Sequence, residues 1–316
     1  MKLSFLIFMV QNRPKKSTMK LRKDDFMVRK MGFYGTMKLR KLNFMVLFMF
    51  VGREKELQML QEQADKGRAS FVAVRGRRRI GKSRLIFEFS KRVTKKLMFT
   101  GLPPTSKITA QMQRDEFARQ MADQGLPFIE SKDWSNLFWI LGKESEKGPV
   151  IVVLDEISWM GSKDPAFLGK LKIAWDRFFE KNPQLILIVA SSIASWIDKN
   201  ILNSTGFFGR VDLVLTLKEL SIKSCAKFWA GRSSSVSAYE KLKLLSIVGG
   251  IPKYLEAINP KLTAEDNIQQ LCFSEEGLLF NEFERIFHDL FSRRSKLYKD
   301  IVEALIDVQF LSQQEI

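Results

Sequence analysis

One histidine, His288, and two cysteines, Cys225 and Cys272, are all that the 316 residues offer to a transition metal or a thiol nucleophile. The cysteines lie far apart without metal-ligand spacing, so a zinc centre and a Cys/His catalytic pair drop out. Both thiols read as small core residues, and the expected setting is the reducing cytoplasm. Long apolar runs are lacking too. Leu3–Val10 follows a single lysine in the manner of a signal peptide, but no small-residue cleavage site comes after it. Phe44–Val51 falls far short of the ~20 residues that span a bilayer, so stable membrane insertion is not expected.

Acidic residues are also short, with 35 Asp and Glu against 52 Lys and Arg and a net charge of +17. Such an excess points to an acidic partner: nucleic acid, nucleotide or membrane surface. It is unevenly placed. Residues 1–48 hold twelve basic residues against Asp24 and Asp25, or +10, which leaves +7 for everything after them. The same segment repeats itself as "MKLSFLIFMV", "MKLRKDDFMV" and "MKLRKLNFMV", starting at Met1, Met19 and Met37. A period this short has no counterpart among ordinary solenoid repeats. Two readings stay open: a membrane-surface or targeting segment, and a tandem nucleotide repeat translated ahead of a start at Met45 or Met49.

From Phe50 the pattern becomes regular. "REKELQMLQEQADKG" places Leu57, Leu60 and Gln61 on one helical face, with Gly67 as its stop. Five short apolar runs, "SFVAVRG", "KLMFTGL", "PVIVVLDEIS", "QLILIVASS" and "VDLVLTLKEL", read as buried strands. Helices are expected between them: Gly81 to about Lys95, "SKITAQMQRDEFARQMADQG" with Ile108, Met112, Phe117 and Met121 as its apolar face, "PAFLGKLKIAWDRFFEKN", and a segment through Ile197. This alternation predicts an α/β fold, a parallel sheet of about five strands with helices on both faces. From Ser221 only helical periodicity remains, as in "SIKSCAKFWAGR", "AYEKLKLLSIV" and "NEFERIFHDLF".

"GRRRIGKS", Gly76 to Ser83, satisfies G-x-x-x-x-G-K-[ST]. Glycines let consecutive backbone N–H groups converge on a phosphate that a Cβ would obstruct. Lys82 reaches the β- and γ-phosphates, Ser83 offers a hydroxyl to Mg2+, and the helix that follows contributes its N-terminal dipole. The match leaves a strand and opens a helix, as the motif requires. Arg77, Arg78 and Arg79 lie where the backbone does the cradling. They read as outward-facing solvated or partner-contacting charges, with a contribution to nucleotide or nucleic-acid binding as the alternative.

Phosphoryl transfer needs a second carboxylate for Mg2+ and a group that orients water. Asp155 ends the strand "VIVVLD", at the strand end where ligands bind in open α/β sheets. Glu156 beside it can aim the attacking water or accept its proton. Ser191 or Ser192, ending the next strand, would stand beside Asp155 and reach water or the γ-phosphate, or instead cap the helix "IASWIDKN". Arg210 in "GFFGR" could neutralise charge on the transferring phosphate, or be a surface charge.

Taken in order, "FVGREKEL", "GRRRIGKS", "VIVVLDEIS", "ASSIASW", "FFGR" and "VGGIPKYL" resemble the ATPase family found predominantly in Archaea, among the AAA+-related STAND P-loop ATPases, over about residues 49–316. The resemblance implies that Gly52 and Arg53 approach the adenine and that the loop Gly76, Arg77, Arg78, Arg79, Ile80, Gly81, Lys82 and Ser83 holds the phosphates. It further implies Asp155 on Mg2+, Glu156 on water, Ser191 as a polar sensor and Arg210 as the arginine of the "GR" element. "GGIPKYL" would belong to a helical lid beside the nucleotide. Adenine over guanine rests on the resemblance, since no N-K-x-D motif is present.

Relatives usually show Gly-Ser-Ser where this chain has Ala190-Ser191-Ser192, and usually continue into a winged-helix domain. Here Ser312 and Glu315 form the capping box of a starting helix, one turn before the sequence given ends. The expected organisation is therefore a basic leader at 1–48, disordered or not native, an ATPase domain at 49–220, a helical lid at 221–292 and a truncated winged-helix start at 293–316. ATP with Mg2+ is the expected ligand of a slowly hydrolysing cytoplasmic switch. DNA, through the winged-helix element, and a second copy of the chain are further candidate partners. A nucleic-acid-associated regulator with nucleotide secondary, and a non-functional gene fragment, remain the alternatives.

Overall fold

The computed structural model describes residues 50–105, 107–229 and 236–280, with 282, 296, 297, 300 and 301 beyond them. The repetitive leader, the helix expected at "NEFERIFHDLF" apart from Glu282, and all but a few residues of the expected winged-helix start lie outside the described residues. The chain divides into two compact units. One comprises Gly52–Lys223 and Gly250–Lys253; the other takes Ser224–Gly249 and the chain from Tyr254 on.

In the first unit, five parallel strands form one sheet: β1 (Ser70–Gly76), β2 (Lys95–Thr100), β3 (Val150–Asp155), β4 (Leu185–Ser191) and β5 (Leu213–Leu217), ordered β2-β3-β4-β1-β5. All five runs read as strands in the sequence are strands. β3 is buried as far as Leu154 and β4 throughout, as expected for strands covered on both faces. Each fully buried Val, Leu or Ile stabilises the fold by about 1.5–3 kcal/mol. Because all strands run the same way, their C-terminal ends share one edge of the sheet. β4 lies between β1 and β3, with Arg75 opposite Ser191 and Leu154 opposite Val189. That order brings the chain segments after β1, β3 and β4 together.

The main helices of this unit are α1 (Glu54–Ala64), α2 (Lys82–Ser90), α3 (Ala110–Asp123), α4 (Trp134–Glu144) and α5 (Phe167–Arg177). Three differ from the sequence reading. α2 stops at Ser90, and Lys95 opens β2 instead. α4 has no counterpart in the sequence reading; Asp133 caps it by accepting from Ser135 N–H, and Leu137, Phe138, Ile140 and Leu141 are buried. α3 buries Gln113, Phe117, Ala118 and Met121, whereas Met112 is exposed.

The reason for this rotation of α3 is the unpaired edge of β2. Gln124 pairs with both backbone groups of Met98 (2.7 and 2.9 Å), Gln120 with both of Thr100 (2.8 and 3.0 Å), and Gln113 with both of Leu102 (2.9 and 2.9 Å). Alternate residues of an edge strand point their N–H and C=O groups outward. Each glutamine amide therefore meets them as a neighbouring peptide group would. Between this helix and the sheet, Phe117 stacks on Phe99 (4.1 Å between centroids) and meets Trp134 edge-on (5.3 Å).

The described residues of the second unit are helices and turns. Helix α6 (Ala238–Val248) is capped by Ser237, which accepts from Glu240 N–H, and the short helix Ala264–Ile268 by Thr263. Tyr254 donates to Glu282 at 2.6 Å. No helix among the described residues is long and apolar enough to cross a membrane.

Candidate functional site

At the end of β1 the chain turns sharply. A Cβ on Gly76 would lie 2.7 Å from the Leu217 carbonyl oxygen of β5, so only glycine fits there. Arg79 and Gly81 both adopt left-handed backbone (φ 66° and 94°). Ile80, 1% exposed, anchors the loop in the core, and its N–H donates to Arg77 O. Lys82 opens α2 with its side chain turned back into the loop, only 5% exposed. Its Nζ donates to Gly76 O (3.0 Å) and Arg77 O (3.4 Å). Burial pushes the Lys82 pKa down, Glu156 and Asp155 oppose that shift, and Arg78 adds to it.

The carboxylates approach from β3. Ser83 Oγ donates to Asp155 Oδ2 at 2.5 Å, spanning the end of β4, and Asp155 Oδ1 accepts from Glu156 N–H at 2.9 Å. A hydroxyl and a carboxylate are hard oxygen donors that suit Mg2+, which binds through one or two carboxylates together with water and phosphate oxygens. Among the described residues, no group of three or more His, Cys, Asp or Glu could hold a metal ion without such oxygens. Glu156 is itself left-handed (φ 50°, ψ 46°), a conformation that costs a non-glycine residue about 1–2 kcal/mol. Its Oε2 accepts from both Ser192 N–H (3.1 Å) and Ser192 Oγ (2.9 Å).

Lys82, Ser83, Asp155, Glu156 and Ser192 are thus gathered at one edge of the sheet. Other residues named from the sequence stand elsewhere. Ser191 is fully buried; its Oγ donates to Ser158 Oγ (2.9 Å) and accepts from Ile193 N–H (3.1 Å). It braces the turn after β4, and Ser192 is the serine that meets Glu156. Arg210 is held by Asp176 through Nε and Nη2 (2.7 and 3.1 Å), an ion pair that keeps the Asp176 carboxyl below its usual range. Two residues on, Asp212 N–H donates to Phe71 O. Phe71 lies near the start of β1, so Arg210 sits at the opposite end of the sheet from the phosphate loop. This chain does not bring its own Arg210 to the phosphates.

Of the arginine run, Arg78 is exposed and lies 5.9 Å over the Trp159 ring, while Arg77 and Arg79 are half-buried. Gly52 and Arg53 are both left-handed (φ 72° and 67°), and Arg53 turns inward at 8% exposure. Ser158, Trp159 and Lys218 take part in this arrangement without any sequence signal for it. Their partners are remote in the chain, and no motif spacing announces them.

A family model described as an ATPase domain predominantly from Archaea matches residues 50–258. An uncharacterized protein of Methanocaldococcus jannaschii is 25% identical over 260 residues, covering 81% of this chain and 54% of the relative. The chain thus spans about half the length of the curated relative it matches. The Walker-type ATPase of Pyrococcus abyssi superposes with a TM-score of 0.55 at 16% identity, over 82% of this chain and 77% of that one, a likeness of fold. The loop, the strand order and the match over most of the chain agree: this chain has a P-loop NTPase-like fold and belongs to the family described as an ATPase domain predominantly from Archaea.

Proposed function

We propose that the chain is a nucleotide-dependent molecular switch that binds ATP with Mg2+ and hydrolyses it slowly. The observation that supports this most directly is the Ser83–Asp155 hydrogen bond, which joins the phosphate loop to the β3 carboxylate beside Lys82 and Glu156. Bound Mg2+ would neutralise charge on the β- and γ-phosphates. Lys82 would grip the same phosphates as a point charge, and Ser83 and Asp155 would hold the metal. Glu156, steadied through one oxygen by Ser192, would aim the attacking water with the other and take its proton. In this reading the lid expected over 221–292 is the part that responds to the nucleotide state.

The test is calorimetric titration of Mg-ATP and Mg-GTP into the wild-type chain and Lys82→Ala. Micromolar ATP binding lost in the variant supports the switch and opens Glu156 to kinetic work. Folded wild-type protein that takes up neither nucleotide sinks it.

A further inference from the structure

Arg53 has a role that adenine contact does not describe. Two consecutive left-handed residues, Gly52 and Arg53, reverse the chain just before α1 and turn the guanidinium inward. Backbone strain of this kind persists where surrounding contacts fix it, and those contacts are specific. Arg53 Nη2 donates to Ile80 O within the phosphate loop (3.1 Å) and to Lys218 O just past β5 (2.6 Å), while Nη1 pairs with Glu56 (2.9 Å). The planar fork of arginine can hold several acceptors at fixed angles, which a lysine ammonium does not reproduce.

The second acceptor leads to the point where the chain returns to this unit. Leu220 N–H donates to Gly250 O (2.8 Å), and Gly250 N–H donates to Glu219 Oε2 (3.2 Å). The approach is so close that a Cβ on Gly250 would lie 2.3 Å from Leu220 O. Two residues later, Pro252 Cγ lies 3.8 Å from where a Gly81 Cβ would be. The hydrogen bonds run from Ile80 to Arg53, from Arg53 to Lys218 and from Leu220 to Gly250, and Pro252 stands beside Gly81 of the loop. All of them belong to one compact unit.

We propose that Arg53 is a positioning residue that couples occupancy of the phosphate loop to the Lys218–Leu220 and Gly250–Pro252 stretches, which lead to and from residues 224–249. The proposal rests on the nucleotide-binding reading above. When Lys82 exchanges its loop carbonyls for phosphate, the loop resets. Ile80 O then moves against a guanidinium that also holds Lys218 O, so the change is passed to Leu220 and Gly250.

The experiment is amide hydrogen exchange on the full chain, with and without saturating Mg-ATP, in wild type, Arg53→Lys and Arg53→Met. Wild type should gain protection on nucleotide binding both at residues 76–83 and at the Leu220 and Gly250 amides. Each variant, saturated with ATP, should still protect the loop but lose the gain at Leu220 and Gly250, with ATP affinity roughly tenfold weaker from the lost charge-assisted bonds. Arg53→Lys keeps the charge and serves as the readout if Arg53→Met does not fold. A variant that protects Leu220 and Gly250 as wild type does overturns the coupling. Wild-type protein that binds ATP without protecting those amides overturns it as well, and leaves nucleotide binding intact. Wild type that binds no nucleotide removes both readings together.

Discussion

Ser192 donates its backbone N–H and its hydroxyl to the same oxygen of Glu156, at 3.1 and 2.9 Å. One carboxylate oxygen is thereby fixed, which sets the direction of the other. If Glu156 orients water, Ser192→Ala should lower kcat by about tenfold, the worth of one hydrogen bond to a charged group, and leave ATP affinity unchanged. Glu156→Gln should bind ATP normally and lose roughly 10²–10⁴-fold in turnover. Single-turnover hydrolysis beside calorimetry reads both, and a Gln variant that hydrolyses at the wild-type rate would remove Glu156 from the chemistry.

The Arg210–Asp176 pair lies at the far end of β1 from the phosphate loop. Arg210→Ala should therefore leave ATP affinity of the isolated chain as it is and lower stability by no more than about 1 kcal/mol, as for a largely solvated ion pair. A large loss of nucleotide affinity in dilute protein would contradict this placement.

Asp133 caps α4, accepting from Ser135 N–H, and also holds Lys170; the Ser135 bonds lead in drawing its pKa from 3.8 to about 2. A carboxyl whose folded pKa lies below its unfolded value stabilises the fold fully above the unfolded pKa and loses that contribution as pH falls through the folded one. Asp133→Ala should cost about 1 kcal/mol at neutral pH, mostly from the cap. Denaturation midpoints should show that difference shrinking as pH is lowered from neutral towards about 3. A difference constant with pH would show that the charge does not matter.

Gln120 and Gln124 cover four backbone groups of the β2 edge. Replacing both by Ala should cost about 2–6 kcal/mol, from four hydrogen bonds at roughly 0.5–1.5 kcal/mol net each with the backbone groups left to water. An open edge strand invites pairing with another chain, so the variant should also self-associate by light scattering. A monodisperse variant of wild-type stability would show that the edge is protected by other means.

The loop at Gly76–Ser83, the five strands and the carboxylate pair at the end of β3 can all be read from the amino-acid order alone. Those depend on local rules: glycine where a Cβ cannot fit, apolar runs of strand length, and a lysine and serine opening a helix. The α4 helix is legible too, in Asp133 ahead of Trp134 and the apolar positions after it. Relationships between residues distant in the chain came instead from how the elements pack. Strand order set β4 between β1 and β3, and the geometry of the turn after β4 buried Ser191 and presented Ser192 to Glu156. Asp212 fastened the start of β5 to Phe71, which carried Arg210 away from the phosphates. The backbone of Leu102, just past β2, turned Gln113 inward where hydrophobicity favoured Met112, because an unpaired backbone amide exerts a stronger claim on α3 than one more methionine does. Arg53 shows the same division: the family resemblance implied contact with adenine, but two left-handed residues and two carbonyl oxygens more than 20 positions away decided what it holds.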